Sequence, residues 1–213
     1  MHTNNDSMTQ NPDQADLLPV MERFYTIQGE GVFSGHAAWF IRLAGCDVGC
    51  VWCDVKESWN AEGFPRISPH ELAQEAAESG AQTVVITGGE PTMYNLQALT
   101  HALKNKGLKV HLETSAAYPI TGTFDWICIS PKKFKFPIPS QLPLANELKV
   151  IIYNRSDLNW AKSFVNQVSE SCKLLMQPEW NKSNTILHEV IAFVKENPQW
   201  QISLQTHKFM NIP

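Results

Sequence analysis

TVVITGGEP, residues 83–91, is the stretch that sets the architecture. A β-branched run is stopped by two glycines, then by an acid and a proline. A run this short and apolar, bounded by turn residues, predicts a strand buried on both faces. Similar runs recur outward along the chain: AAWFIRLAG at 37–45, KVHLET at 109–114, WICIS at 126–130, ELKVIIY at 147–153, KLLMQP at 173–178 and QISLQT at 201–206. Helical segments lie between several of them. Ser68-Pro69-His70-Glu71 predicts a capping box with proline at the first helical position, opening a helix that ends near Gly80. Asn95 opens a second, with Leu96, Leu99 and Leu103 on one face and Gly107 as its stop. Ser156 or Asp157 opens a third, carrying Leu158, Ala161, Phe164, Val165 and Val168, and a fourth spans 185–197 before Pro198. This alternation implies an α/β fold of mainly parallel strands with helices packed on them. In such folds the C-terminal strand ends carry the site. Polar residues gather there: Gly88-Gly89-Glu90, Thr114-Ser115, Ser130-Pro131-Lys132, Gln177-Pro178 and Thr206-His207-Lys208.

The bulk properties narrow the class. A chain of 213 residues, 43% hydrophobic, suffices for one core, so residues 19–213 are expected to form a single domain. A net charge of −4 gives no footprint for nucleic acid. No apolar run approaches the roughly 20 residues that span a bilayer. Residues 1–18 are rich in Asn, Asp and Gln and lack the pattern of a signal peptide. They are expected to be a disordered tail, and the protein to be cytoplasmic, in a reducing compartment.

Cys46, Cys50 and Cys53 form C-x3-C-x2-C. Three thiolates this close can wrap one face of a cubane cluster and leave the fourth iron without a protein ligand; electron carriers usually use four cysteines. A structural zinc site needs a fourth Cys or His at close spacing. His36 and His70 lie ten residues before and seventeen after the run, which is no recognised zinc pattern. A zinc-binding interaction module without catalysis is the competing reading. Cys128 and Cys172 stand alone in strand-like runs and are expected to be buried thiols.

With Trp52 as the aromatic, the cysteine run resembles the signature of the radical S-adenosylmethionine superfamily, and Gly88-Gly89-Glu90-Pro91 resembles its GGE motif. Further segments are similar to the 7-carboxy-7-deazaguanine synthase family: FYTIQGEG at 24–31, FIRLAGC at 40–46, LETS, ISPKK, LMQPEW and the ending QTHKFMNIP. The resemblance implies an incomplete (β/α) barrel with few helices, a [4Fe–4S] cluster on Cys46, Cys50 and Cys53, and S-adenosylmethionine. It implies a lyase of queuosine and related purine biosynthesis that converts 6-carboxy-5,6,7,8-tetrahydropterin to 7-carboxy-7-deazaguanine and ammonia by radical ring contraction. It also implies a homodimer and a small-protein or chemical electron donor.

By the same resemblance, Trp52, Asp54, Gly89, Glu90, Ser130, Pro131, Lys132 and Gln177 hold the cofactor, with Glu90 and the glycine backbone receiving its ammonium. Ile27, Gln28, Gly29, Arg42, Thr87 and the C-terminal Pro213 hold the pterin. Many members read Cys-Asp-Thr after the last cysteine, and that threonine ligates Mg²⁺. Val55 stands at this position and has no oxygen to offer a hard cation. Two expectations follow: the Lys56 ammonium takes over part of the metal's charge, or Mg²⁺ is held by substrate and water alone. A glycyl-radical activating enzyme shares the cysteine and GGE motifs and is the alternative enzyme; it has no use for the Gln28-Gly29-Glu30-Gly31 segment.

Overall fold

The computed structural model describes residues 17–213, so the expected tail lies outside the described residues except for Leu17 and Leu18. Among the described residues nine strands form one sheet: β1 (Leu18–Ile27), β2 (Ala37–Leu43), β3 (Arg66–Ile67), β4 (Thr83–Gly88), β5 (Lys109–Thr114), β6 (Trp126–Ile129), β7 (Glu147–Ile152), β8 (Lys173–Pro178) and β9 (Trp200–Ile202). Their order is β3-β1-β2-β4-β5-β6-β7-β8-β9. Every neighbouring pair from β2 to β9 is parallel, whereas β1 runs antiparallel to β2 and β3. Parallel neighbours need crossovers. Helices α1 (Pro69–Glu78), α2 (Gln97–Asn105), α3 (Ser156–Lys162) and α4 (Ser183–Glu196) supply them after β3, β4, β7 and β8. The β5–β6 connection has no helix, and β6–β7 has only the 3-10 segment Pro139–Leu144.

Side chains alternate along each strand between two faces. Ile41, Leu43, Val84, Ile86, Val110 and Leu112 face α1 and α2; Leu148, Val150, Ile152, Leu174 and Met176 face α3 and α4. The intervening positions Arg42, Thr87, Glu113, Lys149 and Gln177, from five strands, all line one cavity. The sheet therefore wraps around that cavity. Its end strands β3 and β9 do not pair with each other, so the barrel is incomplete. The expectation of strands buried on both faces needs a qualification: one face is apolar, but the inner one carries buried charges that satisfy each other.

Several boundaries differ from the sequence reading. Ser68 caps α1 through Glu71 N at 3.2 Å, as expected. Asn95 accepts from Gln97 N at 2.9 Å, but α2 begins only at Gln97. Asp157 lies inside α3, where its carboxylate accepts from Tyr153 N and Asn154 N and ties the helix to the end of β7. That helix stops at Lys162, and Val165–Gln167 form a separate 3-10 turn. The last strand is Trp200–Ile202 rather than 201–206, and Thr206 starts the short helix α5 (Thr206–Met210). Ser203 N still donates to Met176 O of β8 at 2.9 Å, but the Ser203 hydroxyl, Gln205 and Thr206 bond across to the β1–β2 loop, so the ladder goes no further. Cys128 and Cys172 are both buried.

Candidate active site

The cavity of about 580 Å³ has the size of a small-molecule site. Cys46, Cys50 and Cys53 line it from the loop after β2. Backbone bonds close this loop on itself, with Gly45 N donating to Ser58 O at 2.6 Å, Cys46 N to Trp59 O at 3.1 Å and Cys53 N to Cys50 O at 3.0 Å. The GGE turn is strapped against its base. Glu90 N donates to Gly45 O at 2.8 Å, and a Cβ on Gly89 would lie 2.3 Å from Gly45 O and 2.8 Å from Cys46 Cβ. Only glycine permits that approach. Burial raises the Cys46 thiol and pushes Cys50 up to about 11; the sulfurs of the neighbouring cysteines raise both, and Lys132 partly opposes the rise at Cys50. The bare loop therefore favours thiols, and a metal that displaces the protons makes three thiolates compatible.

Glu90 is 1% exposed, and its carboxylate is committed. Oε1 accepts from Thr92 N at 3.0 Å, Thr92 Oγ1 at 2.7 Å and Thr114 Oγ1 at 2.5 Å; Oε2 accepts from Ser115 N at 2.8 Å and from Ser115 Oγ. These bonds clasp the end of β4 to the end of β5. The expectation that this carboxylate receives an ammonium is revised: its lone pairs are occupied, so the glycine backbone and the Thr114 and Ser115 hydroxyls are the acceptors open to a ligand. Glu90→Ala is expected to cost about 2–4 kcal/mol, because three hydroxyl and two amide donors lose their acceptor in a buried place. Thermal melts check this; an unchanged Tm would rule out the clasp.

Charges form the cavity floor. Lys149 Nζ bonds Glu30 Oε2 at 2.8 Å and Glu113 Oε2 at 2.9 Å, its side chain 4% exposed. Glu147 is buried beside them, accepting from Val32 N at 3.2 Å and Trp126 Nε1 at 3.1 Å. Burial would lift the Glu30 carboxyl, but Lys149, Gln205 and Gln177 outweigh it and hold Glu30 at about 2. Burial wins at Glu113 and raises it, with Glu147 and Glu30 adding and Lys149 opposing. Burial works against the Lys149 ammonium, yet the groups around it hold it well above its ordinary value. The Cys128 thiol is itself pushed up and stays protonated, so the three carboxylates carry that effect.

The C-terminal segment closes the open side of the barrel. Ser203 Oγ accepts from Gly31 N at 2.9 Å and donates to Gln177 Oε1 at 2.7 Å. Thr206 donates to Gly29 O through both N and Oγ1, at 2.8 and 2.9 Å. His207 packs so tightly on Gly29 that a Cβ there would lie 2.2 Å from its Nδ1. Burial lowers the His207 pKa, which keeps the imidazole neutral at neutral pH. Lys208 Nζ meets Asp54 Oδ2 at 2.8 Å, linking this segment to the residue after Cys53. Pro213 reaches the cavity wall, where its main-chain oxygen accepts from Thr26 Oγ1 at 3.3 Å.

Residues 40–121 match the Radical SAM superfamily. A 7-carboxy-7-deazaguanine synthase from Flavobacterium psychrophilum is 49% identical across 94% of this chain and 95% of its own length. The chain belongs to the 7-carboxy-7-deazaguanine synthase family. A relative of the same name from Synechocystis sp. is 48% identical over 91% of this chain and 93% of its own. The crystal structure of QueE from Escherichia coli shares the fold with a TM-score of 0.77 at 30% identity, covering 92% of this chain and 96% of that one. Membership in this family makes the protein a lyase with a [4Fe–4S] cluster and S-adenosylmethionine, built on the partial barrel described above.

The residues present fit both groups. Three cysteine thiols on one cavity wall suit a cluster with one open iron. Trp52, Asp54, Gly89, Ser130, Lys132 and Gln177 line the same cavity, as do Ile27, Gln28, Gly29, Arg42 and Thr87. Lys132 Nζ sits 5.5 Å from the Trp52 ring centroid and donates to Ser130 O at 2.9 Å and Ser130 Oγ at 2.5 Å. Pro131 is buried and outside the cavity wall. Mg²⁺ does not fit its expected place: Val55 offers no oxygen, and the adjacent Asp54 carboxylate is taken by Lys208. The Lys56 expectation is also revised, since Lys56 is exposed, outside the cavity wall, with Nζ 5.9 Å from the Trp59 ring centroid.

Sequence reasoning passed over Glu30, Glu113, Lys149 and Gln205 as site residues. Glu113 and Lys149 carried a usable signal: Lys109, His111 and Glu113 in β5, and Glu147 and Lys149 in β7, place polar or charged residues at alternate positions of the two strands. Glu30 and Gln205 sit on loops, where no period marks them.

Proposed function

We propose that this cavity takes 6-carboxy-5,6,7,8-tetrahydropterin and yields 7-carboxy-7-deazaguanine with release of ammonia. One observation carries the reading: the cysteine loop, the GGE turn and a polar wall of Gln28, Arg42 and Thr87 all face a single cavity. When bound, the cluster and S-adenosylmethionine supply hydrogen abstraction at C6 of the pterin. Cys46, Cys50 and Cys53 anchor the cluster. Trp52, Asp54, Gly89, Ser130, Lys132 and Gln177 seat the cofactor, the backbone and hydroxyl acceptors at the ends of β4 and β5 taking its ammonium. Arg42 pairs the substrate carboxylate through its guanidinium fork. Gln28, Thr87, the backbone of Ile27 and Gly29, and Pro213 read the pterin edge by hydrogen bonds. The C-terminal strap limits water entry from the open side of the barrel. Mg²⁺ has no protein ligand at position 55.

The working form is a cytoplasmic homodimer that receives electrons from a small protein or a chemical reductant, without nucleic acid or membrane. In support, no helix of the described residues is long and apolar enough to cross a membrane. Anaerobic reconstitution with iron and sulfide, dithionite reduction and assay with the carboxypterin test the reading. The expected result is 7-carboxy-7-deazaguanine formed in many turnovers, with KM raised when Pro213 is removed. Reductive cleavage of S-adenosylmethionine without a deazapurine product would overturn the substrate assignment.

A further inference from the structure

Glu22 and Arg42 face each other directly across the β1–β2 pair, and Arg42 stands opposite Thr87 in β4. The three residues form one cross-strand row. Its first member is there because β1 contains a bulge between Val20 and Glu22: Val20 pairs with Leu43, and the irregularity brings Glu22 rather than Met21 opposite Arg42. A bulge of this kind re-aims a side chain. Arg42 Nε donates to Glu22 Oε1 at 2.5 Å, with the side chains 20% and 41% exposed. Arg42 and Thr87 line the cavity; Glu22 does not. Phe24 and Phe40, stacked 5.5 Å apart and 3° from parallel, are the next pair on the same face, beyond the Arg23–Ile41 pair.

A guanidinium has five N–H donors in a rigid fork. With Nε held from the side, only the two Nη groups are left for a ligand. We infer that Glu22 is a positioning residue that fixes the Arg42 guanidinium by its Nε edge, so that the Nη edge meets the substrate carboxylate end-on. This rests on the reading of Arg42 as the carboxylate's partner. Without Glu22 the arginine gains side-chain freedom that binding must then remove, and its Nε edge competes for the ligand. Glu22 never touches substrate.

Steady-state kinetics on the reconstituted holoenzyme test the inference. Glu22→Ala is expected to raise KM for the carboxypterin about tenfold with kcat little changed, while Glu22→Gln, which keeps a neutral acceptor for Nε–H, recovers most of that loss. The inhibition constant of a tetrahydropterin lacking the carboxyl group should be the same in wild type and Glu22→Ala, because a merely structural loss would weaken both ligands. Arg42→Ala should raise KM at least as much, and Glu22→Ala should add nothing in that background. A Glu22→Ala enzyme with wild-type KM, beside an Arg42→Ala enzyme with raised KM, would overturn the positioning role alone. So would equal weakening of the carboxyl-free analogue. If Arg42→Ala itself kept the wild-type KM, the substrate reading of Arg42 would fall first and Glu22's role with it.

Discussion

Cys50→Ala is expected to abolish the visible charge-transfer absorption of the cluster and to cut turnover to below about one-hundredth of wild type. Loss of a partner that merely orients a metal ligand already costs 10–100-fold in many sites, and Cys50 is a ligand itself. Three cysteines are the minimum that can hold a cubane and still leave an iron open, so removing one leaves two anchors. Cys50 also packs with Val48 and Ala117 in the small apolar cluster under the loop. Methyl-sized alanine retains part of that packing, so the fold should survive while the cofactor is lost. Cys172→Ala is the control. Cys172 is buried at the start of the β8 region, away from the cavity wall, and its loss should lower stability slightly and leave iron content unchanged. Iron and sulfide analysis of both variants decides the matter; a colourless Cys172→Ala protein or a fully loaded Cys50→Ala protein would contradict the assignment.

The second large effect is on stability. Lys149→Met should destabilise the protein by about 3–5 kcal/mol at neutral pH, because one substitution strands the carboxylates of Glu30 and Glu113 in a buried place. The pH dependence gives this prediction its sign. In the wild type the folded Glu30 pKa, about 2, lies below the ordinary value of 4.5. Its contribution is therefore present above the unfolded carboxylate range and is lost as pH falls towards 2. In the variant the lysine no longer offsets burial, and the Glu30 pKa moves up. Ionisation then opposes folding, and stability rises as the carboxyl protonates. The gap in Tm between wild type and Lys149→Met should consequently narrow as pH is lowered from 7 to 4. A gap that stays constant, or widens in acid, would show that the trio is not held by the lysine charge.

These two effects also separate what was legible in the sequence from what was not. The cysteine loop was legible because its chemistry is local: three ligands within eight residues need no knowledge of the fold. The strand set was legible because β4 and β8 are short apolar runs and β5 alternates Val110 and Leu112 with polar residues, all with sharp glycine, serine or proline boundaries, and their observed limits match the expected ones. The charged floor was not. Glu30, Glu113 and Lys149 come from the β1–β2 loop, β5 and β7, and only the closing of the sheet brings them within hydrogen-bond reach. The Glu90 clasp escaped for a related reason. A carboxylate beside two glycines at a strand end reads as an offered ligand, until Thr92, Thr114 and Ser115 are seen to fill its lone pairs. The strand expected at 201–206 stops early because the Ser203 hydroxyl, Gln205 and Thr206 find partners across the barrel gap, and past Ser203 the chain leaves the ladder. Lys56 was misplaced because its nearness in sequence to Cys53 says nothing of direction. The 3-10 turn at Lys56–Trp59 carries its ammonium outward, over the Trp59 ring.

The most direct measurement is Mössbauer spectroscopy of the ⁵⁷Fe-reconstituted protein, with and without S-adenosylmethionine. One iron in four should change its isomer shift when the cofactor is added, while the three held by Cys46, Cys50 and Cys53 stay as they were. Four irons indifferent to the cofactor, or a preparation that takes up no iron, would contradict an open corner in this cavity.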